Sequence, residues 1–131
     1  MQKSIFGFLA ILFLGLTLVS CKKEQTFDDK LFGTWVSTKV TYDNGDATGL
    51  FQYTIELQSS HEFKLTQKTP LSSQSIIRAG TWETNEARQE VILRYDDSAE
   101  TSRYDINSLD GDHMTAETLL DGKQLEIEFK K

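Results

Sequence analysis

Along most of this chain apolar and polar residues alternate one by one. Phe51, Tyr53, Ile55 and Leu57 are separated by Gln52, Thr54 and Glu56, and Leu125, Ile127 and Phe129 by Glu126 and Glu128. A period of two with one apolar face marks a β-strand that packs on one side and meets water on the other. The same alternation runs through Phe63 and Leu65, Val91, Leu93 and Tyr95, Tyr104 and Ile106, and Met114 and Ala116. Two further strands, near 33–42 and 75–84, hold Trp35 and Trp82. Eight strands with almost no helix are therefore predicted past residue 32.

Turn chemistry fills the breaks. Asp110-Gly111 and Asp121-Gly122 are the strongest hairpin signals, because a primed turn needs a positive φ that glycine adopts at little cost. Weaker breaks fall at 58–60, 85–87 and 96–98; 43–49 is the longest connection, and the only proline, Pro70, lies outside any strand. Short links between successive strands produce an antiparallel meander. An open meander leaves two exposed edges, which closure removes. The expected fold is an all-β, eight-stranded antiparallel up-and-down barrel with an apolar interior. A two-sheet sandwich fits the same alternation.

The N-terminus is of another kind. After Met1-Gln2-Lys3, residues 4–20 carry no charge and end in Leu18-Val19-Ser20-Cys21. A positive start, an apolar run and a small residue form the layout of a secretory signal peptide. The last four residues resemble a bacterial lipobox, and the resemblance implies cleavage before Cys21 and acylation of its thiol, a palmitate-type membrane anchor. An uncleaved membrane span competes with this reading. Seventeen uncharged residues are at the short limit for one, Gly7 and Gly15 dilute them, and Lys22 and Lys23 follow the run, against the orienting charge bias. Two or three acyl chains, as such lipoproteins carry, hold a protein where one does so only marginally. Lys22 stands where some lipoproteins have the Asp that retains them at the inner membrane, so the expected place is the outer membrane, on either leaflet.

The chain then divides into a leader (1–20), a lipidated tether (21–30) and one folded domain (31–131). Cys21 is the only cysteine; with lipid on it no disulfide forms, and the apolar core must hold the fold. Loss of the leader leaves 13 of the 14 basic residues against 20 acidic ones, a net charge of −7. That charge argues against nucleic acid and against adhesion to anionic lipid. A monomer is the expected state.

Leu31-Phe32-Gly33-Thr34-Trp35 opens the first strand, Gly80-Thr81-Trp82 recurs mid-chain, and Tyr104-Asp105-Ile106-Asn107-Ser108-Leu109 leads into a hairpin. In this order the three resemble the small lipocalin-like domains of many bacterial lipoproteins, over residues 31–130. The resemblance implies that Gly33, Trp35, Gly80 and Trp82 build the barrel base, with Trp35 plugging it. It also implies a cation over that ring, from Arg103, Lys130 or Arg94. Plain core packing, without any ligand role, is the simpler reading of both indoles. The chain is shorter than larger lipocalins and lacks their disulfides. Eight strands enclose a bore that side chains can fill or that holds one small molecule, and here many large side chains point inward.

Catalytic chemistry is missing from the pattern. His61 and His113 stand in no metal-ligand spacing, each beside a turn. The oxygen-rich Asp43-Asn44-Gly45-Asp46 lacks the terminal Glu of a calcium loop. No Gly-x-Ser-x-Gly elbow occurs, and Asp96 and Asp97 adjoin in a turn where water explains them. No enzyme, cofactor or metal is expected. Two functions stay open. The first binds a small apolar or amphipathic ligand at one mouth, lined by Tyr53, Ile55, Phe63, Tyr95, Tyr104 and Phe129, with residues 43–49 as a flap. The second is a filled barrel that recognises another envelope protein, as an inhibitor, immunity or assembly factor does. Internal volume separates them: below about 300 Å³ a cavity leaves the usual ligand range.

Overall fold

The computed structural model describes residues 25–69 and 74–131; the leader, Cys21 and Pro70 lie outside them. A helix, α1 (Phe27–Leu31), precedes the strands β1 (Gly33–Tyr42), β2 (Gly45–Asp46), β3 (Gln52–Leu57), β4 (Glu62–Lys68) and β5 (Ile76–Asn85). A 3-10 turn (Glu86–Arg88) separates these from β6 (Glu90–Tyr95), β7 (Thr101–Asp110), β8 (His113–Leu120) and β9 (Lys123–Lys130). From β3 onward each strand pairs antiparallel with its successor, and β1 pairs with both β3 and β9. Eight strands thus close into an up-and-down barrel, which decides against a sandwich. The two-residue β2 only extends the end of β1.

Closure depends on β1. Gly33–Val36 pair with β3 while Val36–Tyr42 pair with β9, and the register shifts between Ser37 and Lys39. One extra residue bends a strand and reverses which side chains face inward. Trp35 is buried before the bulge and Val40 after it, so the buried positions change parity. The Ser37 hydroxyl accepts from Tyr53 N–H at 2.9 Å, and Thr38 Oγ1 donates to the Glu128 carbonyl at 3.2 Å. A second shift, between Ile106 and Ser108, bends β7.

Two turns differ from expectation. Asp121 and Gly122 have φ of 53° and 77°, the pattern of a type I′ turn. In the other hairpin Asp110 pairs with His113, so the central residues are Gly111-Asp112, one place later than expected. Only Gly111 (φ 59°) is left-handed there, the type II′ pattern. Residues 43–49 are no free flap. Asp43 and Asn44 (φ 50° and 64°) form a tight turn into β2. Ala47 is then buried, its N–H on the Val40 carbonyl at 2.8 Å, and Thr48 Oγ1 accepts from Val40 N–H at 3.1 Å.

Part of the expected tether is folded. Thr26 caps α1: its hydroxyl accepts from Asp29 N–H, and its own N–H donates to Asp29 Oδ2, each at 3.2 Å. Phe27 and Leu31, four apart on one helical face, are buried against the barrel core.

Candidate functional site

The ends of the barrel carry different chemistry. At the base, where α1 docks, Trp35 is fully buried and donates from Nε1 to the Leu31 carbonyl at 2.8 Å. The cation over its ring is Lys131, with Nζ 5.0 Å from the centroid. This corrects the expected Arg103, Lys130 or Arg94. Those side chains alternate outward: Arg94 bonds Glu83 at 2.6 Å, Arg103 bonds Glu90 at 3.1 Å, and Lys130 is exposed one residue past the buried Phe129. Gly33 has φ 132°, a conformation that L side chains rarely adopt, so glycine is required there, and the end of the Lys131 side chain lies over it.

Trp82 donates from Nε1 to the Gln58 carbonyl at 3.1 Å. Its ring lies 4.7 Å from the His61 ring and meets the Phe32 ring edge-on at 5.8 Å. His61 Nε2 is 2.9 Å from Asp28 Oδ2, and Thr84 Oγ1 donates to the other oxygen of the same carboxylate. These groups fasten α1 to the barrel. Burial pushes the Asp28 carboxyl up, but the His61 and Thr84 hydrogen bonds and the His61 charge outweigh it, and its pKa falls below 3.8. A depressed carboxylate stabilises the fold above its unfolded pKa and loses that contribution as pH falls through the folded one. Tryptophan fluorescence should therefore report loosening of α1 only in acid, below about pH 4. Asp28→Asn should remove that acid step; an unchanged profile in the variant would contradict the latch.

At the mouth the inward residues become polar. Tyr53 is bonded to Gln67, and the Tyr95 hydroxyl is 2.7 Å from Ser102 Oγ. Arg78 lies with its guanidinium carbon 3.7 Å over the Tyr95 ring and bonds Asp97 at 3.1 Å. Burial, then the neighbouring Tyr95 and Tyr53, push the Tyr104 pKa far up against the opposing Arg78, so Tyr104 stays neutral.

Between base and mouth lies an apolar cavity. Of the expected lining, Tyr53, Ile55, Tyr104 and Phe129 surround it, with Leu57, Leu65, Val91, Ile106, Met114, Ala116 and Ile127. Phe63 and Tyr95 do not. They pack edge-to-face on each other, centroids 5.6 Å apart, and fill the bore. The cavity measures about 30 Å³, close to one water's share of liquid and roughly a tenth of the smallest usual ligand site.

Residues 31–116, more than half of the chain, match the family described as a lipocalin-like domain. The chain belongs to that family. Among curated proteins none matches. A lipocalin-like protein from Bacteroides uniformis ATCC 8492, known from a crystal structure, superposes with a TM-score of 0.54 at 13% identity, over 78% of this chain and 98% of that one. Likeness at that identity concerns the fold.

In the wall of this lipocalin-like barrel two strands part towards the mouth. The β7–β8 ladder stops at Asp105↔Glu117, short of the mouth, and Thr118 Oγ1 donates to the Arg103 carbonyl at 2.7 Å across the parting strands. Outside it is a polar groove of about 440 Å³ edged by Glu90, Arg103, Asp105, Glu117 and Leu119. Arg78 was not among the expected site residues. It stands two places before Gly80 and four before Trp82, on the same strand face, and that spacing was the available signal.

Proposed function

We propose that this is a non-catalytic lipoprotein of the outer membrane that works as a recognition module, its filled lipocalin-like barrel presenting the mouth to another envelope protein. The observation that carries this reading is the 30 Å³ interior. A barrel packed by its own aromatic side chains has little room for a ligand, so recognition falls to its outer surface. The His–carboxylate pair beside α1, His61 with Asp28, is engaged together with the Thr84 hydroxyl in fastening a helix, which supports a role without catalysis. Anchoring rests on the lipobox-like Leu18-Val19-Ser20-Cys21 and the uncharged run before it. Incorporation of an acyl analogue into the protein should vanish on Cys21→Ala; retained label would refute the anchor.

A second reading draws support from the mouth itself. Tyr104 is partly buried at this end, beside Tyr53, Tyr95 and Arg78, and burial keeps its hydroxyl neutral. A small amphipathic molecule seated across the mouth would find a donor there. Native mass spectrometry of the protein purified in detergent from its own envelope distinguishes the two. A bound protein supports the first reading, and a bound small molecule in its place would overturn it.

A further inference from the structure

Exposed large apolar side chains are concentrated at one end of the barrel. Five are exposed among the described residues: Val36 (49%), Leu50 (54%), Ile76 (55%), Ile77 (60%) and Leu119 (71%). Four of them stand at the mouth: Leu50 before β3, Ile76 and Ile77 at the start of β5, and Leu119 at the end of β8. Single exposed apolar residues need no explanation; here four of the five stand at one end, which leaves that end with apolar area that a partner can cover.

Charge surrounds them. The described mouth connections (43–51, 69, 74–75, 96–100 and 121–122) contain Asp43, Asp46, Asp96, Asp97, Glu100 and Asp121, and no lysine or arginine. The base connections 58–61, 86–89 and 111–112 hold only Glu86 and Asp112, with Arg88. At the mouth, Arg78 reaches Asp97 at 3.1 Å and Glu100 at 3.8 Å, and Lys123 reaches Asp43 at 3.7 Å. Arg94 and Arg103, at the same end of β6 and β7, are matched by Glu83 at 2.6 Å and Glu90 at 3.1 Å, so with Lys39 and Lys68 also counted the mouth carries a net −2.

Resting on the protein-recognition reading above, we propose that this rim is the docking surface, and that its occupant is a cationic amphipathic segment of an envelope protein, apolar residues interspersed with Lys or Arg. Chain geometry excludes the bilayer that holds the anchor. Three residues, four Cα–Cα steps, link Cys21 to Gln25, which lies beside α1 at the base; they reach about 14 Å at most. The mouth is at the far end of a barrel about 18 Å tall and turns its carboxylates away from anionic lipid. A second copy would oppose like charge to like. In a cationic segment the apolar side chains cover the rim, while the carboxylates select its sign and steer its approach over a Debye length of about 8 Å.

The test is a photo-crosslinking amino acid placed at Ile77 or Leu119 of the full-length protein in its own cells, with Ser59 and Arg88 at the base as reference positions. Rim positions should yield protein adducts that base positions do not. The partner peptide recovered from them should be rich in apolar residues and Lys or Arg. Asp96→Asn combined with Asp121→Asn should reduce the yield at least about fivefold. Adducts from the base alone overturn the rim and leave protein recognition standing. Lipid adducts from the rim, an acidic or uncharged partner peptide, or a yield indifferent to the two Asn substitutions overturn the proposal as well. Absence of protein adducts from both ends overturns it together with the reading on which it rests.

Discussion

Trp35→Ala is expected to cost about 3–5 kcal/mol of stability, a large part of the 5–15 kcal/mol typical of a folded domain. The indole is fully buried at the base and holds the Leu31 carbonyl through Nε1. Truncation therefore opens a cavity and frees the last turn of α1 together. Lys131 separates the two ways in which this residue could matter. A cation over an aromatic face at an exposed site contributes only about 0.5–1 kcal/mol, so Lys131→Ala should cost no more than about that. If the plug acts through buried area, denaturant unfolding will show a large loss for Trp35→Ala and a small one for Lys131→Ala. Equal losses would mean that the cation holds the base, and a Trp35→Ala protein as stable as the parent would refute the plug altogether.

The barrel was legible because its strands obey a strict local period. Strands read from the alternation near 33–42 and 75–84 lie within a residue of β1 and β5. Local pattern cannot show where one extra residue is inserted. The bulges in β1 and β7 reverse the inward parity halfway along each strand, and they arise from pairing with β9 and β8, far away in sequence. The helix escaped notice for another reason. At five residues it offers no periodicity, although Thr26 and Asp29 stand at capping-box spacing and could have marked its start.

Four of the six expected lining residues followed from the same parity. Tyr53, Ile55, Tyr104 and Phe129 face inward and line the cavity, and Arg78 shares a face with Gly80 and Trp82. Whether an inward ring lines a cavity or fills it is a different matter, because that depends on what stands opposite. The ring over which Lys131 closes could not be paired with its cation either, since the two are 96 positions apart and meet only when β9 returns to β1.

Gly80 shows how that filling is arranged, and its replacement is the second large effect expected. In the sheet Gly80 pairs with Phe63 of β4 on one side and with Tyr95 of β6 on the other. With no side chain between them, the two rings meet edge-to-face over the glycine, centroids 5.6 Å apart. A Cβ at Gly80 would overlap the Arg94 carbonyl oxygen and come within 3.0 Å of Phe63 Cε1. The first obstacle is backbone of the adjoining strand, so no rotamer change relieves it; β5 and β6 would have to separate. Overpacking costs typically 1–3 kcal/mol where side chains can shift, and here the ladder itself must yield. Gly80→Ala should accordingly lose at least about 3 kcal/mol or fail to fold, read as a fall in the denaturant midpoint or as loss of protease-resistant protein. Gly49→Ala, where nothing lies within 4 Å of the added carbon, should stay within about 0.5 kcal/mol of the parent. If Gly80→Ala matched Gly49→Ala, the Phe63–Tyr95 pair would not depend on the gap at Gly80, and the account of why this bore is full would fall with it.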